Sequence, residues 1–144
     1  MAVPLLVATV MVLVTVCVHG WGLAVLGRYL RLEARQEALG HLPDLSARSL
    51  LFTLAVVLAL FVLHGVEIWA YAAVYLLLGA IESLETAVYF SSIAYGGIGF
   101  SDAYISPSWR LVSAIEGING VLLMGWSTAF FVTVVARLGG RLRS

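Results

Sequence analysis

AVYFSSIAYGGIGFSD, residues 87–102, lies between two long apolar runs and ends on an aspartate. It opens as a short amphipathic helix and then passes through Gly96, Gly97, Ile98 and Gly99. Upstream, Ser83-Leu84-Glu85-Thr86 reads as a helix start. Ser83 caps it, and Glu85 falls in the first turn, where the helix dipole favours a negative charge. A helix over 84–95 is too short to cross a bilayer, so it is expected to be re-entrant. The chain would return outward over 96–102 as extended backbone. Unpaired carbonyls at membrane depth are tolerated only when buried in protein or lining a wet cavity. Glycines let such a backbone alternate its conformation and aim its carbonyls one way. Facing water, those carbonyls are cation ligands.

The surroundings are a membrane protein's. Hydrophobic residues make up 62% of the 144 and charged residues 11%, against about 25% charged in an ordinary soluble domain. A chain of this size cannot hide so much apolar surface in a soluble core. Residues 1–27 carry no formally charged side chain and exceed the apolar core of a signal peptide. They read as a retained transmembrane helix, with His19-Gly20-Trp21-Gly22 near its interfacial end. Residues 28–48 form a polar linker whose RYLRLEARQEAL run reads as helix, either separate from or continuous with the first span. Gly40 and Pro43 break it, and Asp44 or Ser46 caps the next helix. The second span lies within 49–80 and the third within 108–138, leaving a tail at 139–144. All basic residues are arginines. They concentrate in linker and tail, whereas the connection between spans two and three holds Arg110 against Glu82, Glu85 and Asp102. The positive-inside rule therefore expects linker and tail in the cytoplasm, and the N-terminus and residues 96–102 outside.

Several classes fall away. There is no basic tract for nucleic acid, and Cys17, the single cysteine, builds neither a disulfide framework nor a thiolate cluster. No nucleophile–base motif marks an enzyme, and no catalytic residue is assigned. There remain polar groups at membrane depth, which usually face protein or water. Glu67 lies in the second span with His64 one turn earlier on the same face; Glu116 and Asn119 lie in the third. The carboxylates are read three ways: hydrogen-bonded behind the short helix, forming a proton-sensitive gate, or holding an ion. His64 and Glu67 are too few for a metal site without ligands from other helices, and His19 reads as an interfacial histidine.

The stretch 87–102 resembles the pore loop of potassium channels, with the signature threonine-valine-glycine-tyrosine-glycine-aspartate. Ala87-Val88-Tyr89-Phe90-Ser91 is a usual pore-helix run. Ile98 stands at the signature valine, Gly99 at its first glycine, Phe100 at the tyrosine, Ser101 at the second glycine and Asp102 at the aspartate. Gly96 and Gly97 replace two threonines. WRLVSAIEGINGVLLMGWSTAF and HGVEIWAYAAVYLLLGA resemble the helices flanking the pore in the short bacterial two-helix branch of that superfamily. The resemblance covers residues 49–138 and leaves the first span outside.

It implies an all-α integral membrane protein. Three transmembrane helices hold a re-entrant pore helix and filter loop between the second and third, and four copies make one pore. It implies a filter of Gly96, Gly97, Ile98, Gly99, Phe100 and Ser101 with Asp102 at the outer mouth. Gly120 would be an inner-helix hinge or, alternatively, a small residue packed closely with Gly117. Thr128 and Phe131 would line the inner cavity. The expected function is passive conduction of monovalent cations, with potassium selectivity relaxed toward sodium by the missing threonines. A non-conducting scaffold of the same fold is the alternative, and an intramembrane enzyme using His64 and Glu67 a remote third. The expected partners are three further copies of the chain and the lipid bilayer, and the expected location is a bacterial inner membrane. No cofactor beyond the permeant ions is expected.

Overall fold

The computed structural model describes residues 1–39, 47–99 and 103–140. Four α-helices account for nearly all of them. α1 (Ala2–Leu39), α2 (Ala47–Leu77) and α4 (Arg110–Gly140) are long, and α3 (Leu84–Tyr95) is short. Stretches of the three long helices are apolar and long enough to cross a membrane: Ala2–Leu30, Leu50–Leu77 and Pro107–Ala136. The expected breaks and cap at 40–46, and the tail from 141, lie outside the described residues.

Local chemistry sets the ends. Pro4 is tolerated in the first turn of α1, where its missing N–H has no helical partner. α2 closes on a left-handed Gly79, φ 61°. There Gly79 N–H donates to the Leu76 carbonyl (3.0 Å) and Ala80 N–H to that of Tyr75 (2.8 Å). α3 starts where expected: the Ser83 hydroxyl accepts from Thr86 N–H at 3.2 Å. A single 3-10 turn, Pro107–Trp109, leads into α4.

α3 is wedged between α2 and α4. Its inward face, Ala87, Phe90, Ser91, Ala94 and Tyr95, is buried. It packs with Tyr71, Tyr75 and Val112, all fully inaccessible. α1 lies against α2 and α4 and adds Ala8 and Met11 to the same core. A second cluster of Leu23, Val56 and Leu60, with Phe130 and Phe131 against it, joins α1, α2 and α4 further along. Met1, Val3 and Pro4 share a pocket with Pro107, Ser108 and Trp109. The N-terminus therefore lies at the end of the bundle where α4 begins.

α1 runs unbroken through His19-Gly20-Trp21-Gly22 to Leu39, so the first span and the helical part of the linker are one helix. The glycines of this motif allow close approach. A Cβ on Gly22 would fall 2.7 Å from the Leu63 side chain, and one on Gly20 3.3 Å from Trp126.

Candidate functional site

α3 ends in a turn, not directly in an extended strand. Gly96 keeps helical angles, φ −69°, and Gly97 is left-handed, φ 68°. Gly97 N–H donates to the Ala94 carbonyl (3.0 Å), and Ile98 N–H to that of Ile93 (3.0 Å). This is the pairing of a glycine-terminated helix and repeats what ends α2. The expected extended return from Gly96 is thus corrected: residues 96 and 97 complete the helix cap, and Gly99, φ 113°, begins the departure. A Cβ on Gly97 would lie 2.9 Å from Val121 of α4. Ile98 is 80% exposed. Phe100, Ser101 and Asp102 lie outside the described residues.

Behind this turn are two buried polar groups. In the first, Glu116 (α4) is fully buried against the Tyr75 hydroxyl of α2 and the Ser91 hydroxyl of α3. Ser91 Oγ also lies 3.0 Å from the Ile68 carbonyl. The three contacts need three protons, and the two hydroxyls supply two. The set closes when Glu116 is a carboxylic acid donating to Ser91 while Ser91 donates to Ile68. That spares the cost of a bare charge at membrane depth. Deeper along α4, Asn119 donates to Thr15 of α1 (2.8 Å) and to Tyr71 (3.4 Å).

The second group draws on all four helices. Glu67 (α2) is 1% exposed. His19 Nδ1 of α1 lies 3.0 Å from its Oε1, and the Tyr95 hydroxyl of α3 donates to its Oε2. His64 Nδ1 is 2.9 Å from the Tyr95 hydroxyl. Ser127 Oγ of α4 closes the ring, 3.0 Å from His64 Nε2 and 3.2 Å from His19 Nε2. Five contacts need five protons. One tyrosine, one serine and two neutral imidazoles bring four. The fifth proton adds one positive charge, which balances the Glu67 carboxylate and leaves the cluster neutral as a whole. His19, expected at an interface, is instead fully buried at its centre. Sequence reasoning misses it because nothing in an isolated apolar run says which helix its one histidine will meet.

The glycines of α4 set the depth of α3. A Cβ on Gly120 would sit 2.1 Å from the Tyr95 carbonyl oxygen, and one on Gly117 3.1 Å from that of Ala94. Of the two alternatives for Gly120, the structure has close packing. Phe131, expected in a cavity, packs on the Leu23–Val56–Leu60 cluster, because its face of α4 meets α1 and α2. Thr128 lies on the exposed side, its hydroxyl donating to the Met124 carbonyl at 2.9 Å.

This arrangement is a short helix held between two spans and ending at a glycine turn, and it coincides with a comparison of sequences. A family model described as "Ion channel" matches residues 60–137, from α2 to near the end of α4. The chain belongs to this ion channel family. It is a multi-pass membrane protein of the two-span, potassium-channel-like kind, and the family is not one of enzymes. α1 precedes the matched segment, so the channel's His19 and Thr15 come from outside the family module. No curated protein and no solved structure matches this channel chain.

Proposed function

We propose that four copies of this chain enclose a passive pore for monovalent cations. Residues 96–102 of each copy form its narrowest part, and potassium is only loosely preferred over sodium. One observation carries the reading: the glycine turn is held rigidly from behind and left open in front. Tyr95 and Ser91 are tied to buried carboxyl groups, while Ile98 stands almost fully exposed. Beside it runs an exposed stripe of α4, Val121, Gly125 and Thr128. A single chain brings one such loop and cannot surround an ion; a ring of loops can. The C-terminal end of α3 carries partial negative charge, which favours a cation there. Glu82, Glu85 and Asp102 against Arg110 give each mouth a negative field. Relaxed selectivity follows from Gly96 and Gly97, which offer neither hydroxyl ligands nor β-branched stiffness. On this reading the N-terminus and Asp102 face outward, the arginine-rich linker and tail face the cytoplasm, and the membrane is a bacterial inner membrane.

A non-conducting scaffold is the second reading, and the helix-capping turn at Gly96–Gly97 favours it, because it takes two residues out of an extended carbonyl column. Purified protein in liposomes separates the two. Cation flux with a reversal potential displaced modestly toward potassium supports the pore. Strong exclusion of sodium refutes the account of the glycines. Absence of flux from the wild type and from a Gly96→Thr, Gly97→Thr, Ser101→Gly variant leaves the scaffold.

A further inference from the structure

His19, His64 and Glu67 each offer one ligand atom, and these atoms all lie within 4.8 Å of one another. We propose that they form a divalent transition-metal site of the zinc class, which clamps the first span onto the pore module.

The donor set is the first argument. Two imidazoles and a carboxylate suit zinc and its neighbours, whereas calcium and magnesium take oxygen shells. Geometry is the second. Tetrahedral zinc with ligands at about 2.0–2.1 Å puts ligand atoms about 3.3–3.4 Å apart. His19 Nδ1 lies 3.0 Å from Glu67 Oε1 and His64 Nδ1 3.4 Å from the other carboxylate oxygen, Oε2, so the carboxylate faces both rings with one oxygen toward each. The two rings stand with centroids 5.1 Å apart and their ligand atoms within 4.8 Å, so an ion would draw them together. The supporting shell is the third argument. A ligating histidine normally donates its other ring N–H to an oxygen that fixes its tautomer. Here one oxygen, Ser127 Oγ, lies within 3.2 Å of both Nε2 atoms and can accept from both. That leaves both Nδ1 lone pairs turned toward Glu67. The Tyr95 oxygen, against Glu67 and 2.9 Å from His64 Nδ1, stands at the fourth position.

Charge is the last argument. A divalent ion would take the place of the extra proton; with Glu67 ionised and both imidazoles neutral it leaves one net positive charge, which release of the Tyr95 hydroxyl proton cancels. The His64 side chain is 17% exposed, while those of His19 and Glu67 are sealed. The two histidines and the carboxylate come from α1 and α2, with Tyr95 adding α3, and α1 is the span outside the family module. The existence of the site is independent of whether the pore conducts.

The test uses the full-length channel in detergent micelles, purified without a polyhistidine tag and stripped with chelator. Titration with cobalt(II) should give the visible absorption of tetrahedral cobalt, saturating at one ion per chain and displaced by zinc(II). Zinc should also raise the melting temperature. His19→Ala should weaken cobalt binding by more than 100-fold, and Ser127→Ala, which removes only the supporting oxygen, by about 10–100-fold. His41→Ala, which changes the one other histidine, should leave it unchanged. Should His19→Ala fail to fold, Glu67→Gln, which keeps the side-chain shape, must lose cobalt while eluting as the wild type does. The proposal is overturned if the wild type takes up neither ion at micromolar concentration, which would make the cluster a proton-bound network only. It is equally overturned if His19→Ala and Glu67→Gln bind as the wild type does.

Discussion

Replacing Gly120 by alanine adds one methyl group to a close approach between α4 and the end of α3. Its Cβ would lie 2.1 Å from the Tyr95 carbonyl oxygen and 2.8 Å from the Tyr95 carbonyl carbon and Cγ. A relaxed carbon–oxygen contact is about 3.3 Å or more, so the end of α3 must shift by roughly 1 Å. Overpacking of this kind costs about 1–3 kcal/mol or more. The shift also pulls the Tyr95 hydroxyl from Glu67 and His64, and a buried polar group left unpaired costs a further 1–3 kcal/mol or so. Against this stands a gain of about 1 kcal/mol in helix propensity. Two sister substitutions calibrate the balance. Gly125→Ala meets nothing within 4 Å and should keep the whole propensity gain. Gly117→Ala meets the Ala94 carbonyl oxygen at 3.1 Å and should come out near neutral. Thermal unfolding in detergent, followed by tryptophan fluorescence, should therefore rank Gly125→Ala at or above wild type, Gly117→Ala close to it and Gly120→Ala several degrees below. If Gly120→Ala melts with Gly125→Ala and only ion flux changes, Gly120 is a hinge and the packing argument is wrong.

Glu116→Gln should cost little stability, since an amide can accept from Tyr75 and donate to Ser91 as the acid does. Glu116→Leu strands the Tyr75 hydroxyl and should cost about 1–3 kcal/mol, and equal melting temperatures would show that the carboxyl makes no important bond. Gly97→Ala combines φ 68° with a Val121 contact at 2.9 Å, whereas Gly99→Ala has φ 113° and open space around it. The first should lower stability by well over about 1 kcal/mol. The second should spare the fold more and strike flux through the proposed filter, and the reverse ranking in paired melting and flux measurements would contradict this assignment. Removing residues 1–27 deletes Thr15 and His19 and leaves Asn119 and Glu67 short of a partner each. The truncated chain should fail to accumulate or melt far below the intact one. A truncated chain of normal stability with altered ion preference would instead put α1 at the permeation path.

The long helices were readable because apolar runs of spanning length have few alternatives, and Ser83 with Glu85 announced the start of α3. The carboxyl groups were readable as expensive, which directed attention to Glu67 and Glu116 behind the short helix. Their partners were not. His19 and Glu67 are 48 positions apart, and Thr15 and Asn119 are 104 apart, so each pair exists only because α1 packs on α2 and α4. Periodicity put Gly120, Thr128 and Phe131 on roughly one face of α4, yet Gly120 packs on Tyr95 and Phe131 on the α1–α2 cluster while Thr128 is exposed. It could not say which of them meets protein. Gly96 and Gly97 were ambiguous for a similar reason: glycine permits both an extended return and a left-handed helix cap, and only the Ala94 and Ile93 carbonyls decide between them.

α1 is one uninterrupted helix of 38 residues, about 57 Å from end to end at 1.5 Å per residue. A bilayer's hydrocarbon core accounts for only about 30 Å of that. His19 lies near the middle of this rod, twenty residues and about 30 Å from the last turn at Leu39. A helix resists torsion far better than a loop does. A rotation imposed at the Leu39 end would therefore reach the imidazole that abuts Glu67. From there it is one hydroxyl group away from the end of α3. Any rotation of the first span would thus bear on the carbonyl end of the short helix through His19, Glu67 and the Tyr95 hydroxyl.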